Sequence, residues 1–174
     1  MECTNKKQKT VFLLCGCPGS GKSTWVRKHM NSEVDVHISR DAIRFAMLSD
    51  EQDYFAVENL VRQSFFAEIE DHTTDECNDY NVFIDATHIT PKSRAQVRQH
   101  IKRRPYQIAV SFEAPLEVAL ERNKQRTGRA LVPDSAIYNM YNRYEKPTLK
   151  EGFDEIWHLD EDGRLIWKET RVYE

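Results

Sequence analysis

The chain has 174 residues, a length typical of one domain with a full hydrophobic core, and its composition (40% hydrophobic, 30% charged) is that of a globular protein. With a net charge of −3, the chain as a whole is not basic enough to attract nucleic acid. Nucleic acid could therefore bind only at a local basic patch, which has to be identified separately. No apolar run reaches the roughly 18 residues of a membrane span, and the polar N-terminus lacks the apolar core of a signal peptide, so we expect a cytoplasmic protein whose four cysteines are reduced.

Strands and helices alternate in the predicted order of elements. Short apolar runs, typical of strands buried on both faces, are followed by segments of helical spacing. The predicted strands are residues 10–16, 34–39, 81–86, 106–112, 154–160 and 163–169. The predicted helices are residues 23–30, 41–48, 52–72, 91–101 (with Thr90 as N-cap and Pro91 first), 114–126 and 132–146.

This order predicts an α/β fold with a mainly parallel central sheet flanked by helices. The last two strands, joined by an Asp-Gly turn, add an antiparallel edge. We expect residues 1–9 to form a flexible tail and residues 10–174 to form one domain.

The sequence GCPGSGKS at residues 16–23 fits the phosphate-binding loop pattern G-x-x-x-x-G-K-[ST] in full, between a predicted strand and a predicted helix. The dinucleotide-binding pattern fails, because Thr24 stands where a third glycine is required. We therefore predict a P-loop NTPase in which Lys22 reaches the β- and γ-phosphates of ATP and Ser23 ligates Mg²⁺. The predicted cradle comprises Gly16, Cys17, Pro18, Gly19, Ser20, Gly21, Lys22, Ser23 and Thr24.

Asp85 ends the predicted strand of NVFIDATH. A carboxylate at the end of a neighbouring strand can hold Mg²⁺ together with Ser23. Two alternatives remain open at this point, a cap for the following turn and a substrate contact.

The sequence SRDAIR at residues 39–44 follows the second strand, at the sheet edge where α/β proteins bind ligands. A kinase needs a base that deprotonates the acceptor hydroxyl, and Asp41 is placed to be one. Arg44, three residues later on a helix, either holds Asp41 or binds an acceptor phosphate. The alternative is structural, with Asp41 as a helix N-cap that forms a surface ion pair with Arg44.

Four basic residues in ERNKQRTGRALVP predict a mobile lid over about residues 122–133. Arginines in such a lid, here Arg122 and Arg126, can close over a triphosphate and neutralise its charge. The alternative is a solvated basic loop.

The chain resembles the 5′-hydroxyl polynucleotide kinases, the P-loop kinase domain of phage and end-repair enzymes, over nearly its whole length. The matching segments are GCPGSGKST, SRDAIR, IDATH, ERNKQRTGR and KPTLKEGF. The resemblance implies that Asp41 is the general base, that Arg44 contacts both this base and the acceptor-side phosphate, and that Arg126 is the lid arginine on the phosphates. One departure is His88, where the family often has Asn.

The predicted catalytic residues are therefore Asp41, Lys22 and Arg126, and the predicted substrate contacts are Arg44, Asp85, Thr87 and His88. The activity implied is ATP- and Mg²⁺-dependent transfer of a phosphate to the 5′-hydroxyl of an RNA or DNA end. Two alternatives remain, a P-loop kinase of a small molecule such as a sugar acid, nucleoside or antibiotic, and a non-enzymatic NTP-binding module. The sequence leaves open whether the chain forms a homo-oligomer or works with a separate ligase or phosphatase.

Two features bear on where a polynucleotide would lie. Arg94, Arg98 and Lys102 recur at helical spacing and predict a basic stripe along one helix face, the alternative being a plain solvated face. Phe45 and Tyr54 are aromatic residues near Asp41 that could stack a base, although Phe45 is expected in the core.

Overall fold

The computed structural model describes residues 9–49, 53–74 and 80–173. The strands are β1 (Thr10–Cys15), β2 (Val36–Ser39), β3 (Val82–Asp85), β4 (Tyr106–Phe112), β5 (Glu155–Leu159) and β6 (Leu165–Thr170). The helices are α1 (Lys22–His29), α2 (Arg40–Met47), α3 (Glu58–Thr74), α4 (Pro91–Arg98), α5 (Leu116–Lys124) and α6 (Asp134–Asn142), with 3₁₀ turns at Gly128–Ala130 and Leu149–Glu151.

The six strands form one sheet in the order β2-β3-β1-β4-β5-β6. The first five run parallel, and β6 pairs antiparallel with β5, which confirms the predicted α/β fold with its mainly parallel sheet. Because β1 lies in the middle, its carboxyl end delivers the P-loop to the centre of one sheet edge. The register pairs Leu14 with Asp85 and Ser39 with Asp85, so β2 and β3 end at the same edge.

The core lies on both faces of this sheet, as continuous apolar strands require. Val11, Leu13 and Cys15 of β1 face one cluster, which includes Phe65 and Ile69 of α3. Leu14 faces a second cluster that includes Trp25 of α1. The buried strands are thus covered by helices on either side.

The third helix begins later than the sequence predicts. Residue 52 lies outside the described residues, and a turn precedes α3, in which the backbone N–H of Phe55 donates to Asp53 Oδ1 (2.9 Å). This competing side-chain bond is typical of aspartate before a helix and delays the helix to Glu58. In α4, by contrast, Thr90 caps the helix and Pro91 is its first residue, as predicted.

The predicted basic stripe on α4 is wrong. Arg94 is fully buried and donates two bonds to Glu151 (2.7 and 2.8 Å) and one to each of three backbone carbonyls, those of His88, Glu145 and Lys146. Arg98 bonds Gln107 Oε1 and the carbonyl of Gly152. These arginines join α4 to other parts of the fold instead of facing a ligand.

None of the helices within the described ranges has both the length and the apolar character that crossing a membrane requires.

Candidate active site

The P-loop adopts backbone angles that favour glycine. Gly19 and Gly21 have φ of +81° and +105°, and the N–H of Gly16 donates to the carbonyl of Thr87 (2.9 Å). A Cβ at Gly19 would overlap the carbonyl oxygen of Ala119 in α5. The loop is therefore wedged between the segment after β3 and α5, and Thr87 contributes to the site through its backbone.

Replacing Gly19 by alanine is expected to destabilise the fold and weaken ATP binding. A side chain at this positive φ costs about 1–3 kcal/mol, and the overlap with Ala119 adds to that cost. Gly128→Ala is the matched control, because Gly128 also has a positive φ (+58°) but has open space around it. Urea unfolding and ATP titration of both variants measure the difference, and equal losses of stability would contradict the close packing at Gly19.

Lys22 lies folded back over the loop. Its ammonium donates to the carbonyls of Gly16 and Cys17 (2.8 Å each). Burial lowers the pKa of Lys22, as does the charge of Arg126, while the charges of Asp85 and Asp41 oppose this shift. The fold thus brings the two other predicted catalytic residues within electrostatic reach of the P-loop lysine.

Asp85 and Ser23 form the predicted magnesium pair. Ser23 Oγ donates to Asp85 Oδ2 (2.8 Å), and His37 Nε2 lies 3.1 Å from the same oxygen. Burial alone would raise the pKa of Asp85, but the bonds from His37 and Ser23 and the charge of Lys22 lower it, so the carboxylate is charged.

Two adjacent oxygen ligands beside a phosphate-binding loop fit Mg²⁺, which keeps several waters and takes its other ligands from phosphates. The described residues hold no cluster of three or more His, Cys, Asp and Glu side chains that would bind a metal without a nucleotide. The assignment of Ser23 and Asp85 as Mg²⁺ ligands stays a prediction.

Asp41 lies in the first turn of α2, but it is not the N-cap. Ser39 holds that position, and its Oγ accepts from the N–H of Ala42 (3.3 Å), so the N-cap alternative for Asp41 is wrong. The Asp41 side chain is 65% exposed, and its Oδ1 accepts bonds from Arg44 Nη1 (2.9 Å) and Tyr54 Oη (3.1 Å). The structure thus shows Arg44 holding Asp41, one of its two predicted roles.

Behind Asp41 lies a set of polar contacts that the sequence reading missed. Glu58 binds Arg44 through one carboxylate oxygen and Arg40 through the other. Arg44 itself is only 5% exposed. No short-range pattern links Glu58 to Arg44, because the two residues lie 14 positions apart on different helices.

The predicted lid begins at the end of α5. Arg122 Nη2 donates to the carbonyl of Glu161 in the β5–β6 turn (2.7 Å). Its Nη1 lies against Gly21, buried and without a partner among the described residues. Arg129 donates to the carbonyl of Ser49, so residues 122–133 span from the P-loop to the end of α2. Arg122 thus presents a free donor at the phosphate cradle.

Phe45 does not lie in the core, which corrects the sequence expectation. It is 39% exposed and contacts the ring of Tyr54 edge to face, and Tyr54 contacts Phe55 in the same way. Cys15 and Cys17 are buried free thiols, whereas Cys3 and Cys77 lie outside the described residues.

His88 is buried, with φ of +42°. Its Nδ1 lies 2.7 Å from the carbonyl of Leu14, and burial lowers the pKa of His88 to about 4. The ring is therefore neutral, Nδ1–H donates to Leu14, and Nε2 is an acceptor without a partner in the described part of the chain. The role of His88 as a substrate contact stays a prediction.

This burial predicts a pH dependence of stability. The pKa of histidine is about 6.5 when unfolded and about 4 here, so the unfolded state binds more protons between these values. The free energy of unfolding should fall by about 2 kcal/mol between pH 6.5 and pH 4.5 on account of His88 alone.

His88→Asn is the comparison variant, because asparagine tolerates a positive φ and keeps a donor for Leu14. Urea unfolding at the two pH values should show the extra loss in the original chain and not in the variant. Parallel losses in both proteins would rule out a neutral buried His88.

A protein family described as an AAA domain matches residues 11–147, so the chain belongs to that family. Together with the P-loop, this makes it a kinase-like P-loop domain. L-seryl-tRNA(Sec) kinase of Methanococcus maripaludis is 22% identical over 147 residues, or 83% of this chain and 56% of that protein. The chain spans little more than half the length of this relative.

Solved structures share the fold. Kti12 of Chaetomium thermophilum, in complex with ADP-AlF3, has a TM-score of 0.60 at 20% identity (86% of this chain, 88% of that chain). A chain of the Pnkp1/Rnl/Hen1 RNA repair complex has a TM-score of 0.64 at 21% identity (81% and 45%). A gluconokinase from Sinorhizobium meliloti 1021 has a TM-score of 0.59 at 18% identity (88% and 83%).

Proposed function

We propose that this chain is an ATP- and Mg²⁺-dependent kinase that transfers the γ-phosphate to the 5′-hydroxyl end of a polynucleotide. The observation that carries the proposal is the placement of Asp41. This exposed carboxylate is bonded by Arg44 and Tyr54, and it follows β2 at the sheet edge where Asp85 bonds Ser23 of the P-loop. A base so placed can take the proton of an alcohol as it attacks the γ-phosphate.

The other residues supply charge and position. Lys22 would exchange its bonds to the carbonyls of Gly16 and Cys17 for bonds to phosphate oxygens. Ser23 and Asp85 would hold the metal ion, which when bound neutralises charge on the β- and γ-phosphates. Arg126 would approach the phosphates from the lid, beside the free donor of Arg122. We propose that residues 10–174 form one domain with this lid at about 122–133.

The surface around Asp41 supports a large acceptor. Phe45, Tyr54 and Phe55 form a group of aromatic side chains, and Phe55 is 66% exposed. Exposed aromatic rings suit nucleobases, whose faces stack on them. The names of two similar proteins, L-seryl-tRNA(Sec) kinase and the RNA repair complex, also point to RNA-linked acceptors.

A small-molecule kinase is the second candidate, supported by the likeness to a gluconokinase over most of both chains. The test compares kcat/KM for 5′-hydroxyl RNA and DNA oligonucleotides with that for a panel of sugar acids and nucleosides, at equal ATP. The proposal expects an oligonucleotide to exceed every small alcohol by at least 100-fold. A sugar acid or nucleoside used more efficiently than any oligonucleotide would overturn it.

A further inference from the structure

We infer that the hydroxyl of Tyr54 is a positioning group that holds the carboxylate of Asp41 in the orientation needed to receive the acceptor's proton. The inference rests on the proposed function only in taking Asp41 as the general base. It applies to any alcohol that accepts the phosphate.

Both hydrogen bonds to the Asp41 carboxylate go to the same oxygen, Oδ1. Tyr54 Oη donates to Asp41 Oδ1 (3.1 Å) and accepts from Arg44 Nη1 (2.9 Å), which also donates to Oδ1 (2.9 Å). Among the described residues, none bonds Oδ2. One oxygen is therefore fixed by two donors, while the other remains for a substrate hydroxyl.

Tyr54 is itself held in place on several sides. The guanidinium of Arg44 lies 4.5 Å from the centre of its ring, and Glu58 fixes that guanidinium from behind. The rings of Phe45 and Phe55 contact it edge to face at 6.3 and 5.0 Å. An exposed aspartate on a short helix thereby gains a rigid partner from a different segment of the chain.

The phenol of Tyr54 also remains protonated near neutral pH and can therefore donate a hydrogen bond. Burial raises the pKa of Tyr54, and the charge of Asp41 raises it further, against the opposing charge of Arg44. A protonated phenol that donates to a carboxylate forms a charge-assisted bond, which is stronger than a neutral one. Removing the hydroxyl should therefore leave Asp41 held by Arg44 alone and less firmly oriented toward the attacking alcohol.

A double-mutant cycle tests this role. Tyr54→Phe removes only the hydroxyl, and it should lower kcat by about 10- to 100-fold with the acceptor KM changed less than about twofold, since positioning acts on the reacting group. In the Asp41→Asn background, Tyr54→Phe should not lower kcat further, because the general base that the hydroxyl positions is already absent. Tyr138→Phe, on α6 and 46% exposed, is the matched control and should keep the full rate.

Two kinetic results would overturn the inference. The first is an equal loss on Tyr54→Phe with and without Asp41, which would indicate a general structural role. The second is a full rate for Tyr54→Phe, which would show that the hydroxyl does not position Asp41, whatever the ring contributes to acceptor binding.

A titration tests the contact without any acceptor. The pKa of Tyr54, followed by the NMR signal of its Cζ carbon, should fall when Asp41 is replaced by asparagine, because a negative charge that raises it is removed. An unchanged pKa would overturn the inference. Failure of the original chain to phosphorylate any 5′-hydroxyl end would count against the proposed function alone, since this titration decides the Tyr54–Asp41 contact separately.

Discussion

Asp41→Asn is expected to lower the rate constant for phosphate transfer by about 10²- to 10⁴-fold, the usual contribution of a positioned general base. Asparagine keeps the size of the side chain and an oxygen for Arg44 and Tyr54, but it takes no proton from the acceptor. ATP binding should be nearly unchanged, because Asp41 lies outside the P-loop. Single-turnover transfer from labelled ATP, with ATP affinity measured in parallel, gives both quantities.

Asp71→Asn is the matched control for this experiment, since Asp71 is an exposed residue of α3 and should leave the rate unchanged. A transfer rate within about threefold of the original for Asp41→Asn, less than 1 kcal/mol of barrier, would exclude Asp41 as the general base. A large loss of ATP affinity in the same variant would show instead that it acts on the nucleotide.

Glu151→Ala is expected to lower the free energy of unfolding by about 3–5 kcal/mol, the cost of leaving one partner of a buried ion pair without the other. Arg94 is fully buried, and Glu151 accepts two of its bonds. The same carboxylate also accepts a hydrogen bond from the backbone N–H of Thr148 (3.0 Å) and so caps the 3₁₀ turn. Urea unfolding monitored by tryptophan fluorescence measures the loss.

Lys150→Ala serves as the comparison, because Lys150 is the exposed neighbour of Glu151 in the same 3₁₀ turn and should change stability by less than about 0.5 kcal/mol. If Glu151→Ala lowers the free energy of unfolding as little as Lys150→Ala does, water must replace the carboxylate at Arg94.

Local patterns in the sequence predict much of the fold. The P-loop and its flanking strand are contiguous, so GCPGSGKS after an apolar run is enough to place the phosphate cradle. The Thr90-Pro91 start of α4 is likewise a local signal, and the structure confirms it. The order of elements predicts that Asp85 and Ser39 lie at the same sheet edge, because parallel strands end there. That their strands are direct neighbours is seen only in the structure.

The contacts that shape the acceptor side could not be predicted, because they join residues far apart in the chain. Arg94 has the spacing of a surface stripe, but it is buried against Glu151, which lies 57 residues later in the chain. Tyr54, in the turn before α3, and Glu58, at the start of α3, contact Arg44 of α2, and no periodicity in the sequence predicts these contacts. His88 is predicted as a substrate contact, and no local pattern shows that the fold buries its ring against Leu14.

The most direct test of the central claim is transfer of labelled γ-phosphate from ATP to a short single-stranded RNA, with DNA in parallel, comparing 5′-hydroxyl with 5′-phosphate ends. The account predicts that label appears on the 5′-hydroxyl strand alone and is lost with Asp41→Asn. Measurable ATP binding with no label on either RNA or DNA would contradict it and would leave a small-molecule kinase or a non-enzymatic NTP-binding module.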